Sequence, residues 1–402
     1  MKENILNGYK IAKELYKEVG VDTDQAIEIL ESIPISINCW QLDDVEGFEV
    51  NRHQTSGGIQ AIGDYPGKPN NIEEFREQLV DVLDKIPGKK KVNLHAIYLD
   101  AKERVERNEI EPKHFESWVQ FAKQHNIGLD FNPTLFSHPL ANHGTLSNRD
   151  PKIREFWIEH VKRSRNISEY FGKELGQPSI HNIWLSDGLK EEPIDKVKPR
   201  KLIIEALDDI LSRKVDKKYS IDALESKLFG LGSEAFVAGS HEFYLNYTAQ
   251  SDAINTYDMG HFHPTETIHD KLATLLAFDK NIHIHLSRAI RWDSDHVPVV
   301  DDDMIAITKE IARQNAFDKV SFSTDCFDAS IDRVKALAIA GRSVAKSLLI
   351  ALLEPIEKLK EYENNKDFTN KLALLEYSKT LPFGLVWQYY CAKHQVIIKD
   401  WF

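Results

Sequence analysis

The chain has 402 residues, 42% apolar and 28% charged, and its 51 Lys and Arg against 63 Asp and Glu leave a net charge of −12. This is a globular composition whose acidic surface repels phosphate backbones, so no nucleic-acid partner is expected. Three dispersed cysteines (Cys39, Cys326, Cys391) exclude a disulfide framework, and no apolar run has the length of a signal peptide core or a membrane span, so no membrane association and a reducing cytoplasmic location are expected.

Residues 1–30 read as helices on the outside of the fold, with Ile5, Tyr9, Ile11, Leu15 and Tyr16 supplying the apolar contacts. A β-branched run at 33–39 is the first strand. It leads into a loop with Gly57, Gly58 and Gly67, a candidate lid for which an ordinary surface loop is the equal alternative. Helix 72–85 precedes strand 91–97, helix 112–125 precedes strand 128–131, and helix 151–171 precedes strand 179–185. Strands at 219–224, 253–258, 281–286 and 319–323 complete the set, with a helix at 304–314 before the last.

Eight alternating units predict an α/β fold, a (β/α)8 TIM barrel over 31–344. An open doubly wound sheet competes with it, but that fold calls for a Gly-rich turn after strand one, where this chain reads CWQLDDVEGFE. Residues 345–402 read as a second helical extension. Leu348, Leu349, Leu352 and Leu353 open it, and an aromatic end (Trp387, Tyr389, Tyr390, Trp401, Phe402) is expected to pack on the barrel or a neighbouring subunit.

In such a barrel, reactive groups gather where strands end. Here those ends deliver His95, Trp184, Glu225 with Lys227, Asp258 with His261, His285 leading to Asp293 and Asp295, and finally Asp325. Carboxylate and imidazole ligands without thiolate suit Mn²⁺, Co²⁺, Mg²⁺ or Zn²⁺. Glu225, Asp258, His285 and Asp325 come from four successive strands and can enclose one ion. His261, Asp293 and Asp295 make a second group, and two adjacent cations act jointly as Lewis acids.

Each residue also has a plainer reading. Asp258 sits at a turn, Asp293 and Asp295 are able to cap a helix, and the acids at 301–303 cap the helix beginning near Met304. His283 is a packed strand histidine, and His241 and Glu242 are the polar start of a helix. The segment from Gly63 to Lys68 is one residue short of a phosphate-binding loop and ends on Pro69, so it fails that motif. No nucleophile elbow or Cys–His signature supports acyl transfer.

SINCWQLDDVEGFE, KVNLHAIY, GLDFNPTLFSHP, ESKLFGLGSE, GHFHPTE, RWDSDHV and DASIDR, in order from about residue 33 to 350, resemble the L-rhamnose isomerase family. The resemblance implies a barrel enzyme that interconverts L-rhamnose and L-rhamnulose with two divalent ions, commonly Mn²⁺, as a cytoplasmic homotetramer. Carried over by motif, Glu225, Asp258, His285 and Asp325 hold the structural ion, and His261, Asp293 and Asp295 hold the catalytic one. Lys227, His95 and Trp184 then line the sugar site. The acids being claimed as ligands favours a metal-assisted hydride shift, with metal-bound water or hydroxide held by Asp325 relaying the proton from O2 to O1, and Lys227 protonated beside Glu225. The chain departs from the family motifs at Asn38 (usually His), at Leu42 and Glu46 (usually Gly), and in STDCFDAS around Asp325, where a more apolar GLDFFDAS is common. A related aldose isomerase or epimerase, a metal-dependent hydrolase and a non-catalytic sugar-binding protein are the competing readings.

Overall fold

Short runs rich in Ile, Val and Leu, each followed by an amphipathic stretch, bury one set of side chains under helices and turn the other inward. In the computed structural model, which describes residues 2–50, 61–228, 234–263, 265–291 and 293–397, this pattern closes a parallel barrel. Its strands are β1 (Ile35–Asn38), β2 (Lys90–His95), β3 (Gly128–Asn132), β4 (Ser179–Trp184), β5 (Ser220–Glu225), β6 (Ile254–Asp258), β7 (Ile282–Leu286) and β8 (Val320–Thr324). They run in sequential order around the barrel, with β8 pairing to β1 through Phe322 and Ile35. All eight expected strands are present. The candidate lid glycines Gly57 and Gly58, like Trp401 and Phe402, lie outside the described residues.

The helices in chain order are α1 (Glu3–Glu18), α2 (Thr23–Ser32), α3 (Ile72–Asp84), α4 (Glu116–His125), α5 (Pro151–Leu175), α6 (Val197–Leu211) and α7 (His241–Ala249). After them come α8 (His269–Ala277), α9 (Asp302–Arg313), α10 (Arg333–Leu352), α11 (Ile356–Asn364), α12 (Phe368–Ser378) and α13 (Phe383–Lys393). One helix, α3 to α10, follows each strand, as the (β/α)8 pattern requires.

Local chemistry starts and stops these helices. Asp301 accepts the Met304 amide at 2.9 Å, and Met304, Ile307, Thr308, Ile311 and Ala312 then form the buried stripe of α9. Pro151 opens α5 behind its Asp150 cap, and Gly176 in the left-handed region (φ 67°) ends it four residues beyond the expected 171. Pro112 begins a 3₁₀ turn, Pro112–Phe115, rather than α4 itself.

Two features depart from expectation. Gly188–Leu189 pairs antiparallel with Phe236–Val237, joining the loops that leave β4 and β5. Ile11 is 58% exposed, whereas Tyr9, Ala12 and Tyr16 form the buried face of α1. The terminal helices pack on each other, with Tyr9 stacked on Tyr389 at 3.9 Å, while Trp387 and Tyr390 are buried. Helix α10 is continuous through 344/345, where the barrel region was divided from the C-terminal extension. No single helix among the described residues is long and apolar enough to cross a membrane.

Arg107 ties together two loops at the site end. Its buried guanidinium pairs with Glu49 at 2.9 and 3.0 Å and donates to the carbonyls of Thr134, Phe136 and Ser137. Replacing it strands a partly buried carboxylate and three carbonyls. Arg107→Leu should therefore cost about 3–5 kcal/mol in a denaturant titration. A loss within the range of ordinary surface substitutions, about 0.5 kcal/mol, would contradict that bridging role.

Candidate metal centre

Four side chains from successive strand ends converge. Glu225 closes β5, Asp258 closes β6, His285 lies in β7 and Asp325 follows β8. One ligand atom from each lies within 4.8 Å of every other. His285 Nδ1 is 3.2 Å from Glu225 Oε1, 3.2 Å from Asp325 Oδ2 and 3.7 Å from Asp258 Oδ2. The alternation in β7 explains the aim: Ile282, Ile284 and Leu286 face the helices, so His283 and His285 face inward.

Among the described residues, the atoms at the centre touch one another but form no hydrogen bond. Glu225 Oε1, Asp258 Oδ2 and both ring nitrogens of His285 are buried without a hydrogen bond. Buried polar atoms are ordinarily paired, so several orphans pointing at one centre fit a cation site. The opposite oxygens are all occupied. Glu225 Oε2 accepts from Asn182 at 2.6 Å, Asp325 Oδ1 accepts from the Trp40 indole at 3.0 Å, and Asp258 Oδ1 accepts from the Gly260 amide and Ser287 hydroxyl at 2.6 and 2.8 Å. Asp258 is thus a turn residue through one oxygen and a member of the cluster through the other.

Charge in the cluster is unbalanced. Burial, assisted by Asp325 and Glu225, pushes the Asp258 carboxyl up to about 7, although His261 opposes it. Burial also works against Glu225, but His285 outweighs it and brings that carboxyl down to about 2. Burial opposes protonation of His285, yet Glu225 and Asp325 drive its pKa well above the ordinary histidine value. One divalent cation relieves all three conditions together.

The second group adjoins the first. His261 Nδ1 lies 3.3 Å from Glu225 Oε1 and its Nε2 lies 3.2 Å from Asp293 Oδ2, so this ring spans the two groups. Gly260 is required here, because a Cβ would sit 2.7 Å from Asp293 Oδ1. Asp295 adopts φ 43°, and burial together with Asp293 and Asp325 raises its carboxyl well above the usual range. Asp293 and Asp295 cap no helix; Asp301 does that for α9.

An aromatic wall flanks the centre. His95 sits edge-on between Trp40 (4.8 Å) and Phe136 (5.4 Å), and Phe136 continues to Trp184 (5.8 Å). Burial lowers His95 to about 3, so its ring is neutral, with Nδ1 3.3 Å from the Thr134 hydroxyl. The Trp184 indole N–H has no hydrogen-bond partner among the described residues. Lys227 Nζ lies 5.7 Å from the centre of the Trp184 ring, donates to the Ser186 carbonyl at 2.6 Å and pairs with Glu234 at 3.3 Å. Its ionic partner is therefore Glu234, not Glu225, whose second oxygen Asn182 already holds. Trp40, Phe136, Asn182 and Ser287 were not singled out from sequence. Trp40 and Ser287 carried a positional signal, standing two residues past the end of β1 and one past the end of β7.

Three comparisons bear on this arrangement. A family model described as L-rhamnose isomerase (RhaA) matches residues 3–402. The chain belongs to the L-rhamnose isomerase family. A relative named L-rhamnose isomerase from Mannheimia succiniciproducens is 51% identical over 392 residues, covering 98% of this chain and 94% of that one. Relatives of the same name from Listeria monocytogenes (serotype 4a) and Yersinia pseudotuberculosis are 50% and 49% identical, each across 98% of this chain and 94% and 95% of their own. Among solved structures, a D-psicose 3-epimerase in the presence of D-fructose aligns at TM-score 0.51 and 13% identity, covering 79% of this chain and 99% of that one. An L-ribulose 3-epimerase aligns at 0.50 and 11%, covering 79% and 95%. These two share the barrel fold.

As a member of the L-rhamnose isomerase family, the protein is an enzyme, and Asn38, Leu42 and Glu46 each have defined surroundings. Asn38 donates to the Cys326 carbonyl at 2.6 Å and accepts from the Thr324 hydroxyl at 2.5 Å, gripping the residues on both sides of Asp325. Glu46 pairs with Lys68 at 2.7 Å, and Leu42 is fully buried.

The raised groups set a sign for pH. In metal-free protein, Asp258, His261 and His285 hold protons more tightly folded than unfolded, so the stability they supply is lost as pH rises through their native values, about 7 for Asp258. A divalent cation bound there, for which Mn²⁺ is the probe, must displace those protons. Calorimetry at pH 7 in buffers of different ionisation enthalpy should show net proton release, and apparent affinity should strengthen from pH 6 to 8. Zero release with pH-independent affinity would contradict the charge balance described.

Proposed function

We propose that this chain interconverts L-rhamnose and L-rhamnulose, with two divalent cations, Mn²⁺ foremost, held in the two acidic groups. The observation that carries this reading is the convergence of unpaired Glu225, Asp258 and His285 atoms at one centre in a chain matching the L-rhamnose isomerase family over residues 3–402. Glu225, Asp258, His285 and Asp325 would hold one cation, and His261, Asp293 and Asp295 the other. Bound there, the cations supply Lewis acidity at neighbouring sugar oxygens.

The chain's own residues do the rest. Trp40, His95, Phe136 and Trp184 exclude water from one face of the sugar and offer it apolar contact. Lys227, anchored by Ser186 and Glu234, and the free Trp184 N–H orient the hydroxyls. A water held beside Asp325 would relay the proton from O2 to O1 while hydrogen passes from C2 directly to C1, turning the aldehyde carbon into a carbinol and C2 into the ketone. His95, held to about 3, is too weak a base to favour taking a proton from C2. A cytoplasmic homotetramer belongs to the same reading. Exposed Phe368, Leu372 and Tyr377 on α12 are surfaces that a second copy would cover.

The test uses metal-reconstituted protein and L-rhamnose deuterated at C2, with NMR of the product. The expected outcome is a ketose of unchanged mass, label retained at C1, and loss of turnover after chelation. An epimeric aldose would overturn the isomerase reading. Label washed into solvent in a single turnover would overturn the direct transfer and make His95 or a carboxylate the base.

A further inference from the structure

We propose that Trp40, Asn182 and Ser287 are positioning residues for the cation of the four-residue cluster, each tying down one oxygen of one carboxylate so that only the other is offered to the metal. The inference rests on the metal reading above and deepens it. Three carboxylates reach the centre, and each is divided in the same way. Oxygens Oε2 of Glu225, Oδ1 of Asp258 and Oδ1 of Asp325 accept hydrogen bonds, from Asn182, from Ser287 with Gly260, and from Trp40. Their partners Oε1, Oδ2 and Oδ2 lie 3.2, 3.7 and 3.2 Å from His285 Nδ1.

These donors are themselves immobilised. Asn182 is 1% exposed, and its amide is fully used: Nδ2 donates to Glu225 and, at 3.1 Å, to Asn132 Oδ1, while Oδ1 accepts from the Thr256 hydroxyl at 2.6 Å. Asn132 donates in turn to Asn93 Oδ1 at 2.6 Å, and Asn93 donates to the Ser323 hydroxyl at 3.2 Å. The amides run from β4 through β3 and β2 towards β8 in a single donor-to-acceptor sense. Flipping Asn182 would set its oxygen against a carboxylate oxygen, so the orientation is locked. Trp40 has one donor and a ring braced by His95, and Ser287 is 1% exposed.

A carboxylate oxygen already holding a hydrogen bond is a poorer second ligand. Three single oxygens and one imidazole nitrogen fall short of the 6–8 oxygens, often from bidentate carboxylates, that Ca²⁺ takes. The same set suits smaller cations such as Mn²⁺ or Co²⁺. The tethers therefore set both affinity and the preference against Ca²⁺.

The test is Mn²⁺ binding to metal-stripped full-length protein, by calorimetry or electron paramagnetic resonance, for wild type, Trp40→Phe, Ser287→Ala and Ser287→Thr. Trp40→Phe and Ser287→Ala should each weaken Mn²⁺ roughly 10–100-fold, with metal-free melting temperatures close to wild type. Ser287→Thr should restore most of the loss, and excess Ca²⁺ should not displace Mn²⁺ from wild type. Unchanged affinity in both deletion variants, while wild type binds Mn²⁺, would overturn the tethering alone. A wild-type protein that binds no Mn²⁺ would overturn the metal reading and the tethering with it.

Discussion

Carboxylates crowded in a buried pocket repel one another and lose their hydration, and the site end of this barrel is arranged around that cost. Glu225 and Asp258 are nearly inaccessible to solvent, Asp325 is close by, and the nearby rings of His285 and His261 supply the compensation available from the chain. Without a cation, protons must serve, which is why Asp258 is held up near 7 and both histidines are raised. A fold that keeps such a cluster stays poised to bind a positive ion, and binding an ion that only the folded state recognises stabilises it.

The interior under the cluster answers the same constraint. A barrel core is commonly filled with branched aliphatic side chains, but here Asn93, Asn132, Asn182, Thr256 and Ser323 meet in one hydrogen-bonded network. Below it, Lys91 pairs with Asp130 at 2.7 Å and His283 bonds Ser321 at 2.8 Å. Apolar packing lies outside the strands instead, where Ile282, Ile284 and Leu286 meet a core that includes Met304, Ile307 and Ile311. Stability is thus supplied by the helical shell, and the inner face is free to be polar and directional.

This division decides what the sequence revealed. Strand runs such as NIHIHL and SINC carry enough branched residues to be read directly, and every strand predicted is present. The position rule for barrel strand ends then brought Glu225, Asp258, His285 and Asp325 together. Asn182 and Ser287 escaped notice because a polar residue inside a strand, or just past one, gives no local sign of whether it holds a carboxylate or merely fills space. Sequence proximity links Lys227 to Glu225, two residues away, whereas its ionic partner is Glu234, seven residues further on. The pairing of Gly188–Leu189 with Phe236–Val237 is too short to give a periodic signal, and Ile11 shows that an apolar side chain near a helical stripe need not belong to it.

The convergence of Glu225, Asp258, His285 and Asp325 implies a cation site at a fixed place in the barrel. Diffraction from Mn²⁺-soaked crystals, with data collected on both sides of the manganese absorption edge, tests it most directly. The predicted result is an anomalous peak bounded by Glu225, Asp258, His285 and Asp325, with a second near His261, Asp293 and Asp295. Fully occupied manganese elsewhere in the molecule, with no peak among the first four residues, would contradict the account.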